Sequence, residues 1–129
     1  MILIDSHIFV WALFEPERIG KQARAMLTEE NDIQVSLASL WELALKHSKG
    51  RFAYPPDLLL KGVGELGATW LEITPRQITQ SVTIPMVHLD PFDHMIAAQA
   101  LCERVPLITY DSQMLDSAVP GLQLIDGRA

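Results

Sequence analysis

Asp90 and Asp93 stand three residues apart in "HLDPFDHMIAAQA", His88 to Ala100, at the head of an alanine-rich run. Part of the explanation is mechanical: Asp90 can cap the first free amides, Pro91 suits the first helical position, and Asp93 favours the positive end of the helix dipole. The other part would be chemical, with Asp93 pointing into a site shared with acids from elsewhere in the chain. Three acids qualify: Asp5 after "MILI", Asp111 after "VPLITY", and Glu42 within "LASLWELALKHSK". Taken singly each has a plainer reading. Asp5 and Asp111 precede helical runs and could be caps, while Glu42 could pair with Lys46 on a solvated face shared with Ser39 and Lys49.

Brought to one edge of a fold, the four pose a problem that capping does not solve. Two carboxylates about 4 Å apart repel by roughly 4 kcal/mol at an effective dielectric near 20, so either their pKa values rise or a cation joins them. A hard divalent ion, Mg²⁺ or Mn²⁺, would accept carboxylate oxygens, keep several waters, and suit hydrolysis of a phosphodiester. Such a site needs no basic cradle. The formal charge of −6 therefore excludes broad electrostatic adhesion to nucleic acid or anionic lipid without excluding a local phosphate site.

The elements that must position these acids alternate. Continuous apolar runs at "MILI", "IQVS", "TWLEI", "VPLITY" and "LQLI" read as strands, and the intervening segments as helices. Among the helices are "SHIFVWALF", Arg18 to Glu30, Leu37 to Lys49 closed by Gly50, a segment opened by Pro55 and Pro56, "PRQITQSVTI", the run after Asp90, and "SQMLDSA". Alternation of this kind predicts an α/β three-layer domain, a mainly parallel sheet of about five strands flanked by helices. Ligands gather at the carboxyl ends of such strands, where Asp5 and Asp111 fall. One domain spanning 1–129 is expected from the length, and 49% apolar residues can fill an ordinary core. Cys102 is the lone cysteine, which removes disulfide and cysteine-zinc frameworks and fits a cytoplasmic setting. The apolar amino-terminal stretch is interrupted by Asp5 and His7, and no run of some 18 apolar residues offers a membrane span.

Other patterns carry less. "GVGELG", Gly62 to Gly67, fits G-x-G-x-x-G, yet a helix precedes it and a strand follows, the reverse of the dinucleotide-binding arrangement. His7, His47, His88 and His94 lack metal-ligand spacing, and His7 reads as a packing or helix-start residue. Trp11, Trp41 and Trp70 sit in apolar stretches that favour core or subunit-interface packing over base stacking. Lys46, Lys49 and Arg51 could steer a phosphate-bearing substrate, or simply close a helix.

"LIDSHIFVWAL", "SLASLWELALKHSKGR", "LDPFDHMIAAQA" and "LITYDSQM" together resemble the four acidic signatures of PIN-domain ribonucleases, in particular the VapC-like toxins of bacterial toxin–antitoxin pairs. The resemblance runs from the first strand to the last. It implies that Asp5, Glu42, Asp93 and Asp111 form a catalytic and metal-binding quartet for Mg²⁺, with Mn²⁺ as a substitute, in an endoribonuclease. It also implies a homodimer, an RNA substrate and a cognate antitoxin. Ser6 and Thr109 fall where small hydroxyl residues support the acids in that family. Ser6 replaces a frequent threonine, and His94 a common arginine, so the charge beside Asp93 would titrate near neutrality. Two other readings stay open: a catalytically silent PIN-like module that binds protein or RNA, and a phosphotransfer receiver or phosphatase, for which the expected lysine or D-x-D pair is not visible.

Overall fold

The computed structural model describes residues 1–30, 32–85 and 90–129. Strand β1 (Ile2–Ile4) leads into helix α1 (Ser6–Phe14), a 3-10 turn at Pro16–Arg18 and α2 (Lys21–Glu29). There follow β2 (Ile33–Ser36), α3 (Leu37–Ser48), α4 (Pro56–Glu65), β3 (Ala68–Leu71), α5 (Pro75–Ser81) and α6 (Pro91–Glu103). The chain ends through β4 (Leu107–Thr109), α7 (Ser112–Leu115) and β5 (Leu124–Asp126). The expected sheet is present, and every pairing in it is parallel. Arg18 to Glu30 is shorter as a helix than its pattern suggested: Ile19 is extended and Gly20 caps the helix that begins at Lys21.

The strand order is β3-β2-β1-β4-β5. The chain winds outward from β1 in one direction, then returns to β1 and winds in the other. The reversal lies between β1 and β4, and a doubly wound sheet opens its binding crevice there, outside the carboxyl ends. Register is fixed by Leu3 opposite Leu107 and Ile4 opposite Ile108, so Asp5 and Thr109 emerge side by side.

Alternation along β1 explains why two cores exist. Ile2 and Ile4 pack with Ile8, Phe9, Val35 and Leu59 on the face covered by α1 to α4, whereas Leu3 packs with Ile96, Ala97, Leu107 and Met114 on the face covered by α6 and α7. All three β1 residues are buried. At roughly 1.5–3 kcal/mol for each fully buried large aliphatic side chain, these positions anchor the frame on which the acids hang.

The helices start where a side chain can satisfy their free amides. Asp5 caps α1, Ser36 caps α3, Thr74 forms a capping box with Gln77 on α5, Asp90 caps α6 and Asp111 caps α7. Gly50, with φ +71°, takes the left-handed conformation after α3 that was expected of it. The glycine pattern of α4 serves packing: a Cβ on Gly62 would lie 2.7 Å from the methyls of Leu13, while Gly64 faces open space. Among the described residues no helix is long and apolar enough to cross a membrane.

Candidate active site

Asp5 is 3% exposed at the mouth of the crevice. Its Oδ1 accepts the amide of Ile8, 2.9 Å away, and its Oδ2 accepts the hydroxyl of Thr109 in a short bond. Capping and site membership are therefore compatible, because a carboxylate offers about four lone-pair directions and Asp5 uses two of them. Thr109, fully buried, also accepts the backbone N–H of Asp111 at 3.1 Å. One hydroxyl thus ties the ends of β1 and β4 together. Burial raises the Asp5 pKa from its ordinary 3.8, and the charge of Glu42 adds to the rise; the bonds from Thr109 and Ile8 and the neighbouring His7 oppose it.

Glu42 corrects one expectation. It does pair with Lys46, Nζ to Oε2 at 2.9 Å, but the face is not solvated: Glu42 is 3% exposed and Ser39 is fully buried. Helix α3 turns this face inward against the start of α1, where Ser6 Oγ donates to Glu42 Oε1 at 2.6 Å. Ser39 Oγ lies 2.9 Å from Ser6 Oγ and can donate to it, since the Ser6 proton is engaged. Ser39 was grouped with Glu42 from their shared helix face, yet its contact with Ser6 was not legible, because it depends on the α1–α3 packing.

Asp111 caps α7, with Oδ1 accepting from Gln113 at 2.9 Å and from Met114 at 3.4 Å. Asp93 is half-buried in the first turn of α6, behind Asp90, which accepts the Phe92 amide at 2.8 Å. Asp90 holds the helix start, as the mechanical reading of "DPFD" expected, and Asp93 follows in the first turn. His94 is also half-buried, its Nδ1 3.2 Å from the Ser81 carbonyl. His88 lies outside the described residues.

The Glu42 charge reaches Asp5 and adds a small part to the rise of its pKa. Among the described residues, no three His, Cys, Asp or Glu side chains stand close enough to hold one ion together. The donors nonetheless fit a hard divalent cation, because Mg²⁺ is usually held by one or two carboxylates with several waters retained. Two buried carboxylates, one of them strongly desolvated, are the charge that such an ion would neutralise. Asp5 and Glu42 could hold it; Asp111 follows β4, and Asp93 lies in the first turn of α6.

His7, Tyr110 and Arg128 were missed as a group. They line an open pocket of about 290 Å³ with Asp111 and Ser112. The His7 ring meets Tyr110 edge-on at 4.6 Å, and Trp11 tilts against Tyr110 at 4.8 Å. Tyr110, between Thr109 and Asp111, was the available signal. Burial raises its pKa, with Asp5 and Asp111 adding to the rise and Lys46 and Arg18 opposing it, so the phenol keeps its proton at neutral pH. Of the tryptophans, Trp11 is buried and Trp70 packs on Phe9, but Trp41 is 60% exposed and lies edge-on to Phe92.

Comparison with known proteins agrees with this geometry. The chain is 28% identical over 116 residues to "Ribonuclease VapC22" of Mycobacterium tuberculosis, covering 88% of each. The fold is shared with DNA-bound VapBC from Salmonella typhimurium (TM-score 0.72, 16% identity, 97% of this chain and 96% of that one). It is shared also with VapBC2 from Rickettsia felis bound to a promoter fragment (TM-score 0.69, 18% identity, 97% and 98%). The family model for the PIN domain matches residues 2–119, and the chain belongs to that family.

Proposed function

We propose that this chain is a metal-dependent endoribonuclease, a single PIN-like unit over residues 1–129 that hydrolyses RNA phosphodiesters as the toxin of a toxin–antitoxin pair. The observation that carries the reading is the pairing at the switch point: a desolvated Asp5, held by Thr109, faces the charge of a buried Glu42 held by Ser6 and Lys46. Evolutionary optimisation for stability alone does not place two carboxylates so. The ribonuclease named among its relatives and the VapBC complexes among its structural neighbours support the substrate class and the antitoxin partner.

Asp5, Glu42, Asp93 and Asp111 are assigned as the catalytic and metal-binding residues. When bound, Mg²⁺ or Mn²⁺ would supply positive charge at the phosphate and acidify a water for in-line attack. Thr109 orients Asp5, and its bond favours the charged form against the burial that raises the pKa. Ser6 and Lys46 fix both oxygens of Glu42, so neither carboxylate must reorganise when a phosphate arrives. Asp111 is locked by the amides of α7, which leaves Lys46, 42% exposed in its side chain, to meet approaching phosphate. Trp41 and Val82 are exposed beside a groove lined by Ala38, Ile73, Phe92 and Met95, apolar area suited to the homodimer. A cytoplasmic location accords with these roles.

The experiment is cleavage of pooled cellular RNA by partner-free protein with Mg²⁺, Mn²⁺ or EDTA, beside Asp93→Asn. Discrete fragments that require metal and vanish in the variant are expected. The second reading, a silent PIN-like binding module, draws on the absence of three converging ligands among the described residues. It takes over if protein that binds the ion by titration cuts nothing.

A further inference from the structure

The pocket beside Asp111 is lined by three side chains to which the four-acid chemistry gives no work: His7, Tyr110 and Arg128. Its volume, about 290 Å³, lies at the small end of ligand pockets, which run from ~300 to 1,000 Å³. That is room for one nucleotide unit.

Tyr110 packs against the apolar core yet keeps its ring partly exposed, with aromatic and cationic groups around it. Trp11 backs it at 4.8 Å, His7 stands edge-on at 4.6 Å, and the Arg128 guanidinium lies 5.9 Å from the ring centre. Trp11 carries Arg18 on its own face at 5.3 Å. With Trp11 buried behind it, the accessible Tyr110–His7 pair beside the Arg128 guanidinium is the kind of surface a single-stranded nucleic acid meets in proteins that bind it, bases stacking and phosphates pairing. It is notable in a chain of net charge −6, where cations are the minority.

The seat is rigidly built. Arg128 follows Gly127, whose N–H donates to the Thr109 carbonyl at 2.7 Å and whose Cα sits so close to Ile8 that a Cβ would lie 2.2 Å from its Cδ1. On the other side, Ala129 accepts the amide of Gln22 at 3.0 Å, and a Cβ on Gly20 would lie 2.1 Å from its carbonyl oxygen. The backbone that carries Arg128 is therefore fixed against β4 and α2. Its side chain meets the Tyr110 ring and makes an exposed contact with Asp126 at 3.4 Å, weak enough to yield to a phosphate.

We propose that His7, Tyr110 and Arg128 form a seat for one nucleotide of the RNA next to the acids, its base against the Tyr110–His7 ledge and its phosphate on Arg128. The proposal rests on the ribonuclease reading for its choice of ligand. It makes these residues determinants of substrate position, outside the bond-breaking step.

Two assays on the same proteins separate the readings. Binding is measured by anisotropy with Ca²⁺ in place of Mg²⁺, using a fluorescein-labelled oligouridylate and an abasic ribose-phosphate oligomer of equal length. Cleavage of pooled RNA is measured in parallel. Intact protein should prefer the base-bearing oligomer by about 10-fold, the size of one base stack. Tyr110→Leu and His7→Ala should each shrink that ratio toward one, and Tyr110→Phe should keep it. Arg128→Gln should weaken both oligomers alike and lower the slope of log K against log salt by about one. Should Tyr110→Leu fail to fold by circular dichroism, the exposed His7 decides the matter. A wild-type ratio near one, or a ratio unchanged in His7→Ala, overturns the seat even if RNA is cut. A tenfold ratio lost in the variants upholds it even if RNA is not cut, and the nuclease reading alone then falls.

Discussion

Asp5→Asn tests whether the centre of this site is held at a cost to the fold. Asparagine keeps the shape and, through Oδ1, the bond from the Ile8 amide; its Nδ2 can donate to Thr109 Oγ1. Each of the two bonds falls from a charge-assisted ~1.5–3 kcal/mol to a neutral ~0.5–1.5 kcal/mol, a loss of about 2 kcal/mol together. Against that, the change removes a charge buried at 3% exposure, whose desolvation costs several kcal/mol even after relaxation. The balance is a gain of about 1–2 kcal/mol for the metal-free protein at neutral pH, within the range seen when functional strain is relieved. With an unfolding entropy of ~2.1 cal/mol/K for each of 129 residues, that is a rise in Tm of about 4–7 °C. The pH dependence has a definite sign. Asp5 has a folded pKa above 3.8, so its contribution to stability is full below about 3.8 and is lost as pH rises through the folded value. Metal-free wild type should therefore gain stability on this account as pH falls from 7 toward 4, and Asp5→Asn should lack that gain. Calorimetry in EDTA across this range gives both numbers. Added Mg²⁺ at ten times its Kd should raise the wild-type Tm by about 5 °C, from RT ln 11 or ~1.4 kcal/mol, and move the variant less. A variant that is less stable than wild type by more than 1 kcal/mol in EDTA at pH 7 would refute the reasoning, because the carboxylate would then be a structural asset.

Thr109→Val, which preserves shape and removes the hydroxyl shared by Asp5 and Asp111, should cost about 2–4 kcal/mol in urea unfolding and slow RNA cleavage. Lys46→Met leaves the Glu42 charge with Ser6 as its remaining described partner; because Lys46 is 42% exposed, the destabilisation should be held to about 1–2 kcal/mol in urea unfolding. Two glycines in one helix should respond oppositely: Gly62→Ala meets Leu13 and should lose about 1–3 kcal/mol, while Gly64→Ala meets nothing and should gain about 0.5–1 kcal/mol, both read as Tm shifts. Trp41→Ser should leave the monomer fold intact and shift the mass seen by light scattering toward monomer, since Trp41 is 60% exposed.

The frame was legible because it depends on local pattern. "MILI" and "IQVS" are short apolar runs that become β1 and β2, and Asp90 with Pro91 announces α6. The parallel sheet follows from alternation, and the strand-end acids follow from the parallel sheet. Pairings that depend on which helix faces which strand were less accessible. Glu42 resembled a surface residue beside Lys46 because the i,i+4 pair is written in the sequence, whereas the α1–α3 contact that buries it is not. For Trp41 the apolar run left core and subunit interface open together, and a ring 60% exposed removes the core. Arg128 could be placed beside Tyr110 only once the glycines at 20 and 127 had brought distant backbone together.

The bond from Thr109 to Asp5 joins residues 104 apart in the chain. A ribosome adds roughly 5–20 residues per second, so Asp5 waits about 5–20 s after its own synthesis before Thr109 exists to hold it. The central strand is made well before its neighbour β4, with β2, β3 and the intervening helices between them. A nascent chain stalled before β4 carries Asp5, Glu42 and Asp93 yet has no ordered edge to hold them. For a protein read as a toxin to the cell that translates it, harm is deferred until β4 has been made.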